Sequence, residues 1–333
     1  MIRLLWLQAS CCGGETVSLL NAEQPDLLTT FDLLGVDLVW HPSFSSIQGC
    51  AAVRLLDQCV SGEKKLDILV LEGAVPEEGQ TAASRAGSET PGIGERIRRL
   101  SDAAAYVMAA GTCASFGGIM CAGGNGRRAQ GLQFHRDELG GFLGEDFRSA
   151  AGLPVVNVPG CPAHPDWLTG TLTQLARHDL CEDELDRYNR PRMFYAKLAH
   201  HGCPRNEYYE FKASALEYSQ QGCLFENLGC KGTQCDSDCN ERLWLARTGS
   251  CTRGGFPCLS CTSPRWPDGF VPFFETQKIS DIPTTLPLDV PKAWYVGISG
   301  LAKLACPERL SVNAVSFKPV DVDDERPAEE DSL

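Results

Sequence analysis

The sequence is poor in positive charge and has no long apolar run. Its 333 residues contain 30 lysines and arginines against 43 aspartates and glutamates, which gives a formal net charge of −13. This acidic balance provides no electrostatic surface for nucleic acid or for an anionic membrane, so we expect neither as a partner. The best apolar stretches, Asp67–Leu71 and Ala103–Ala110, are far shorter than a membrane-spanning helix, so no integral membrane segment is expected.

The first residues also lack the features of an export signal. Met1–Leu7 shows neither the charged and long apolar regions of a signal peptide nor a twin arginine, so we expect a cytoplasmic protein. What the sequence does contain is cysteine, 17 in all. Structural disulfides are rare in the cytoplasm, and an odd number of cysteines cannot all pair within one chain. The cysteine content therefore predicts metal binding.

Two regions of different character follow one another along the chain. In the first, short apolar segments alternate with longer helical ones, which predicts an α/β domain built on a doubly wound parallel sheet. The predicted strands are Arg3–Gln8, Asp37–His41, Leu66–Glu72, Ala104–Ala109 and Pro154–Val158. In the second, eight cysteines fall between residues 203 and 261, which indicates an irregular domain that folds around its ligands. We expect domains at 1–190 and 191–320 and a disordered acidic tail at 321–333.

Three cysteines of the first region follow predicted strands. Cys12 comes after the first strand, Cys113 after the fourth and Cys161 after the fifth, while Glu72 ends the third. Because ligands of doubly wound sheets bind at the carboxyl ends of the strands, these thiols can converge on one point. The alternative is that they are buried cysteines that only pack as small apolar side chains.

The second region offers two further sets of ligands. One is a candidate site with three thiolates and one imidazole, formed by Cys203, Cys223 and Cys230 with His200 or His201. The other is a candidate site with four thiolates, formed by Cys239, Cys251, Cys258 and Cys261. Zinc and iron–sulfur clusters both accept these donors, so a zinc-binding interaction protein is an alternative for this region taken alone.

Ordered motifs along nearly the whole chain, the tail excepted, point to one family. They are Leu5–Gln8 with Cys12, Leu71–Gly73, Gly111–Gly118, Pro159–Trp167, His200 with Cys203, Cys223–Phe225, Gly229–Gly232 and Pro257–Cys261. In these motifs the chain resembles the small subunit of nickel–iron hydrogenases. The resemblance implies a flavodoxin-like N-terminal domain, an irregular C-terminal domain with three iron–sulfur clusters, and an obligate large subunit that carries the nickel–iron site. Two segments, His200–Ser214 and Leu286–Trp294, resemble the cytosolic regulatory, hydrogen-sensing type and related uptake enzymes.

The resemblance assigns the first ligand set to a proximal 4Fe–4S cluster held by Cys12, Cys113 and Cys161. The family has a CxxC pattern here, and Glu15 stands where its second cysteine would be. A carboxylate is a harder ligand than a thiolate, so ligation by Glu15 should change the potential of the cluster. The alternative is that Glu15 caps the following helix and that Cys11 is the fourth ligand.

The resemblance assigns the other two sets to a medial and a distal 4Fe–4S cluster. Many uptake relatives have a proline seven positions before the medial CxxC, where this chain has Cys251, so four thiolates are available and a 3Fe–4S cluster is not expected. In the distal set the HxxC spacing selects His200 rather than His201, and its imidazole should raise the potential. Seven cysteines remain, most of them expected to serve packing: Cys11, Cys50, Cys59, Cys121, Cys181, Cys235 and Cys306.

The implied function is a relay of electrons from hydrogen oxidation on the large subunit through the three clusters. Glu72 is expected at the large-subunit interface, in a proton or hydrogen-bond pathway, with an ordinary strand-end carboxylate as the alternative. In an uptake enzyme a redox carrier would take the electrons. In a low-turnover hydrogen sensor the output would instead be contact with a histidine kinase, although Glu15 in place of a cysteine weakens this assignment.

Overall fold

A five-stranded parallel sheet organises the first half of the chain. The computed structural model describes residues 1–77, 92–123, 129–279, 282–286 and 291–312. The strands, numbered in chain order, are β1 Ile2–Gln8, β2 Val36–Trp40, β3 Ile68–Glu72, β4 Val75–Pro76, β5 Tyr106–Ala110, β6 Ala129–Gln130, β7 Phe134–His135, β8 Glu138–Leu139, β9 Val156–Val158, β10 Lys278–Ile279 and β11 Ile282–Pro283. The main sheet has the order β2–β1–β3–β5–β9 with every pair parallel. Its order reverses between β1 and β3, which is the switch point of a flavodoxin-like sheet.

Helices cover both faces of this sheet. The helices are Gly14–Leu20, Leu27–Leu34, Gly49–Val60, Ile93–Ala103, Gly111–Phe116, Pro165–Arg177, Arg192–Tyr195, Asn206–Glu210, Lys292–Leu304 and Glu308–Ser311. Alternate strand residues enter two separate cores: Leu4 and Trp6 pack with the first, second and sixth of these helices, whereas Leu5 and Leu7 pack with the third and fourth. Because both faces are covered, all residues of β3 and β5 are buried. The predicted α/β fold with a doubly wound parallel sheet is confirmed.

The cysteine-rich region is irregular and packs against the sheet through buried polar contacts. Arg190 forms ion pairs of 2.7 Å with Asp186 and 2.8 Å with Asp236, and the Trp167 indole donates a 2.6 Å hydrogen bond to Asp238. Within the described residues after β9, the only strands are the two-residue β10 and β11. Contacts between side chains therefore take the place of a regular backbone ladder in this region.

Two further expectations concern the acidic tail and membrane-spanning segments. The predicted acidic tail at 321–333 lies outside the described residues. None of the helices within the described ranges has the length and apolar character needed to cross a membrane.

Candidate metal centres

The carboxyl ends of three strands bring the first ligand set together. Cys12 lies in the turn after β1, Cys113 in the helix Gly111–Phe116 after β5, and Cys161 in the turn after β9. Burial raises the pKa of the Cys113 thiol to about 11 and that of the Cys161 thiol to about 12. Both thiols lie close enough to Cys12 and Glu15 for like-charge repulsion to add to these shifts. The structure thus gathers these predicted ligands at the edge of the sheet where the sequence places them.

The Glu15 side chain lies within the proximal site. The residue is 8% exposed, and one carboxylate oxygen accepts a 2.7 Å hydrogen bond from the Ala163 amide. Burial raises the pKa of Glu15 to about 8. Gly111, at φ +83°, leaves room for the carboxylate, because a Cβ atom there would overlap Glu15 Oε1. The carboxylate therefore lies between the segments that carry Cys113 and Cys161.

Cys11 lies at the same site, although the residue is exposed. Partial burial raises the pKa of its thiol, and the charges of Glu72, Cys12 and Glu15 add to the shift. The backbone at Gly73, with φ +92°, packs so closely against Cys11 that a Cβ atom would overlap it. Both candidates for the fourth proximal ligand are thus within the site, and the choice between them stays a prediction.

Glu72 is buried at the end of β3 and is held by several donors. It is 1% exposed. Its carboxylate accepts hydrogen bonds from the Trp6 indole at 3.0 Å, the Gln8 amide at 3.0 Å, the Thr16 hydroxyl at 2.5 Å and the Glu15 backbone amide at 3.1 Å. These contacts join β1, β3 and the helix that carries Glu15. Within this chain Glu72 fixes the position of that helix, while its predicted role at the large-subunit interface stays a prediction.

The four predicted medial thiols also converge. Burial raises the pKa of Cys261 well above its usual range, and the charges of Cys239 and Cys251 contribute to the shift. The charge of Cys239 likewise contributes to a raised pKa of Cys258, for which a hydrogen bond with Cys235 is the largest cause. Each of the four medial thiols is therefore close to at least one other thiol of the set.

Cys235 is a fifth thiol in this group, and its sequence context predicts only a packing role. It is 1% exposed, and its sulfur lies 3.3 Å from the Thr262 hydroxyl. The hydrogen bond with Cys258 lowers its pKa. The four-residue spacing between Cys235 and Cys239 is the one sequence signal that could have indicated its position.

The predicted distal ligands line a single cavity. The walls of this small cavity include His200, Cys203, Cys223 and Cys230. Backbone amides donate hydrogen bonds of 3.4 Å to each of the three sulfurs: Arg205 to Cys203, Phe225 to Cys223 and Cys258 to Cys230. Such bonds stabilise a sulfur ligand in its charged form.

Direct contacts join the three groups in order. The Thr112 hydroxyl, next to Cys113 in the chain, donates a 2.5 Å hydrogen bond to the Cys261 carbonyl. This contact links the proximal group to the medial group. The hydrogen bond from the Cys258 amide to the Cys230 sulfur links the medial group to the distal one.

The donor sets have the chemistry that iron–sulfur clusters require. Thiols whose pKa is raised by loss of hydration are costly to ionise on their own, and a bound cationic centre favours the deprotonated form. In the described part of the chain, no three donors lie close enough together to hold a single metal ion. The distal donors instead line one cavity.

Comparison with known proteins gives matches along most of the chain. Residues 12–175 match the family model of the NADH ubiquinone oxidoreductase 20 kDa subunit, and residues 195–274 match that of the C-terminal region of the NiFe/NiFeSe hydrogenase small subunit. The F420 non-reducing hydrogenase II small subunit of Methanosarcina mazei is 32% identical, over 82% of this chain and 75% of its own length. The periplasmic NiFeSe hydrogenase small subunit of Desulfomicrobium baculatum is also 32% identical, over 81% of this chain and 86% of its own.

Solved structures agree with these matches. The actinobacterial-type NiFe-hydrogenase from Ralstonia eutropha aligns with a TM-score of 0.72 and 31% identity, over 92% of each chain. The reduced, active Ni–Fe–Se hydrogenase from Desulfomicrobium baculatum aligns with a TM-score of 0.70 and 30% identity, over 83% of this chain and 99% of the other. The similarity therefore extends through both the sheet and the cysteine-rich region.

Proposed function

The chain belongs to the small subunits of nickel–iron hydrogenases, which work together with a large subunit, and we propose that it holds the three clusters of an electron relay. Iron–sulfur clusters supply one-electron transfer when they are bound. The chain itself makes and breaks no bond in hydrogen. Its task is to hold the redox centres in a row and to set their potentials through ligands, hydrogen bonds and burial.

In this proposal each donor set holds one 4Fe–4S cluster. The proximal ligands are Cys12, Cys113, Cys161 and Glu15, with Cys11 as the alternative to Glu15. The medial ligands are Cys239, Cys251, Cys258 and Cys261. The distal ligands are His200, Cys203, Cys223 and Cys230. We also infer that the sheet domain at 1–190 holds the proximal cluster and that the irregular domain at 191–320 holds the other two.

The observation that carries the proposal is the unbroken order of contacts between the donor sets. The Thr112 hydroxyl, next to Cys113 in the chain, contacts the Cys261 carbonyl, and the Cys258 amide contacts the Cys230 sulfur. Adjacent clusters held by these residues would be separated by a few bonded atoms and hydrogen bonds. An arrangement of this kind suits electron transfer between neighbouring centres and is not needed by independent structural zinc sites.

For the physiological role we propose a cytoplasmic uptake enzyme that delivers electrons to a redox carrier. Support comes from Glu15, since the sensor type usually has a complete CxxC near the N-terminus. The rate of hydrogen-dependent dye reduction separates the two roles. Rapid turnover by the heterodimer supports the uptake enzyme, whereas slow turnover together with binding to a histidine kinase would favour the sensor.

The proposed relay is tested on the heterodimer of this chain with its large subunit. We expect a brown protein that contains iron and acid-labile sulfide and that reduces a dye with hydrogen. A colourless heterodimer that contains zinc and no sulfide would contradict the proposal and support the zinc-binding alternative. A control heterodimer with Cys50→Ser should behave like the wild type, because Cys50 is an exposed cysteine of the helix Gly49–Val60, away from the three sets.

A further inference from the structure

A buried lysine lies beside the distal donor set. Lys212 is 6% exposed, and its ammonium group lies 4.1 Å from the ring centroids of both Tyr209 and Tyr295. Its backbone has φ +57°, a left-handed conformation that costs energy for a residue with a side chain. A buried ammonium also loses its hydration. A methionine of similar length would avoid this loss of hydration, so the fold maintains the cation at a cost that an apolar side chain would not have.

An acidic side chain lies on the other side of Tyr295. The Tyr295 hydroxyl donates a 2.9 Å hydrogen bond to one carboxylate oxygen of Glu226, and the Ser214 hydroxyl donates a 2.8 Å bond to the other. The Tyr295 ring thus faces the Lys212 ammonium, while its hydroxyl meets the Glu226 carboxylate. One phenol separates the two opposite charges.

Both charges are next to the proposed distal ligands. Tyr295 packs in one buried cluster with Cys223 and Phe225. Tyr209, the other ring against Lys212, contacts the His200 imidazole edge-on, with the ring centroids 4.3 Å apart. Both tyrosine rings that contact the Lys212 ammonium therefore pack in the cluster that contains Cys223.

We propose that Lys212 and Glu226 are positioning residues that set the reduction potential of the distal cluster in opposite directions. This inference rests on the proposed function. A cluster becomes more negative when it accepts an electron, so a nearby positive charge favours the reduced form and a nearby negative charge opposes it. Lys212 is buried and Glu226 is partly buried, so water and salt screen both charges less than they screen fully exposed ones. The pair would adjust the site from which electrons leave the chain.

The test is a redox titration of the intact heterodimer followed by electron paramagnetic resonance. The distal step is identified as the one whose potential falls in a His200→Cys variant, because thiolate replaces imidazole there. We expect Lys212→Met to lower the potential of this step and Glu226→Gln to raise it. The expected size is on the order of a tenfold change in the equilibrium constant, which is about 59 mV for one electron.

Matched variants separate the charge from its surroundings. Lys212→Arg keeps the charge and should leave the distal potential near that of the wild type. Lys197→Met removes a charge three residues before His200, but this ammonium is 59% exposed and pairs with Glu241 at 2.7 Å, so water should screen its effect. If Lys212→Arg shifts the potential as far as Lys212→Met does, packing rather than charge is responsible and the inference is wrong.

The two proposals fail in distinguishable ways. If the wild-type heterodimer lacks iron and a distal redox step, the proposed relay is wrong. If the step is present but Lys212→Met and Glu226→Gln leave it unchanged, or move it in the same direction, only the present inference is overturned. Should Lys212→Met fail to incorporate iron, the sign of the Glu226→Gln shift still decides, because a fall or no change contradicts the inference.

Discussion

Glu15 and Glu72 are neighbouring buried carboxylates with different surroundings. Glu72 accepts several hydrogen bonds, which suit an ionised group. The Glu15 carboxylate accepts a hydrogen bond from the Ala163 amide, but its burial and the charge of Glu72 raise its pKa to about 8. At neutral pH Glu15 alone would hold a proton, which a bound cationic centre would displace. Its environment is therefore suited to a ligand rather than to a free surface charge.

The ligand role of Glu15 gives a prediction for two variants. Glu15→Cys restores the family's CxxC pattern, and we expect it to change the spectrum and potential of the proximal cluster because a thiolate replaces a carboxylate. Cys11→Ala should leave both unchanged. Electron paramagnetic resonance of the reduced heterodimers provides the measurement. If only the Cys11 substitution perturbs the cluster, Cys11 is the ligand and Glu15 is not.

Glu72 gives a prediction about stability. Glu72→Gln removes the buried charge and turns one acceptor into a donor that faces other donors, so we expect a loss of about 3 kcal/mol. The heterodimer should inactivate at a temperature several degrees lower than the wild type. Glu182→Gln is the control, since this side chain is 59% exposed and its pairing with Arg148 is a surface ion pair. Equal stability of the two variants would show that the Glu72 network contributes little.

The strands could be predicted from the sequence, whereas the segments that carry the ligands could be predicted only in part. The five predicted strands are present, with small changes at their ends. Continuous apolar runs reveal strands that are covered on both faces. The short helix Gly111–Phe116 has too few residues to show a helical pattern in the sequence. Its first residue, Gly111, has to be a glycine because the Glu15 side chain approaches it closely. This contact joins segments that are distant in the sequence.

The close contact between Gly111 and Glu15 gives a testable prediction. Gly111→Ala places a methyl group where Glu15 Oε1 lies and imposes a side chain at φ +83°, so we expect a displaced carboxylate and poor incorporation of the proximal cluster. Gly152→Ala is the matched control, because Gly152 has φ +87° but no atom within 4 Å of the added methyl group. Iron content and the proximal spectrum of the heterodimers are measured. Similar losses in both variants would mean that backbone strain, and not the Glu15 contact, is responsible.

The molecule consists of a regular sheet and an irregular region, which meet at the segments that carry the proposed ligands. Spacing in the sequence divides the cysteines into three sets, and hydrogen bonds in the structure connect the segments that carry those sets in order. Spacing could not reveal Cys235 beside the medial set or Lys212 beside the distal one, because both positions depend on how turns of an irregular region pack together. Long-range contacts of this kind leave no periodic pattern in the sequence.

The most direct test of the relay is to count the clusters that hydrogen reduces in the purified heterodimer. The large subunit would pass electrons to this chain, so we expect three 4Fe–4S clusters to become reduced, with iron and sulfide in amounts that match three clusters. Mössbauer and electron paramagnetic resonance spectra before and after hydrogen provide the count. Fewer than three clusters, or a 3Fe–4S signal in oxidised protein at full iron loading, would contradict the proposed relay.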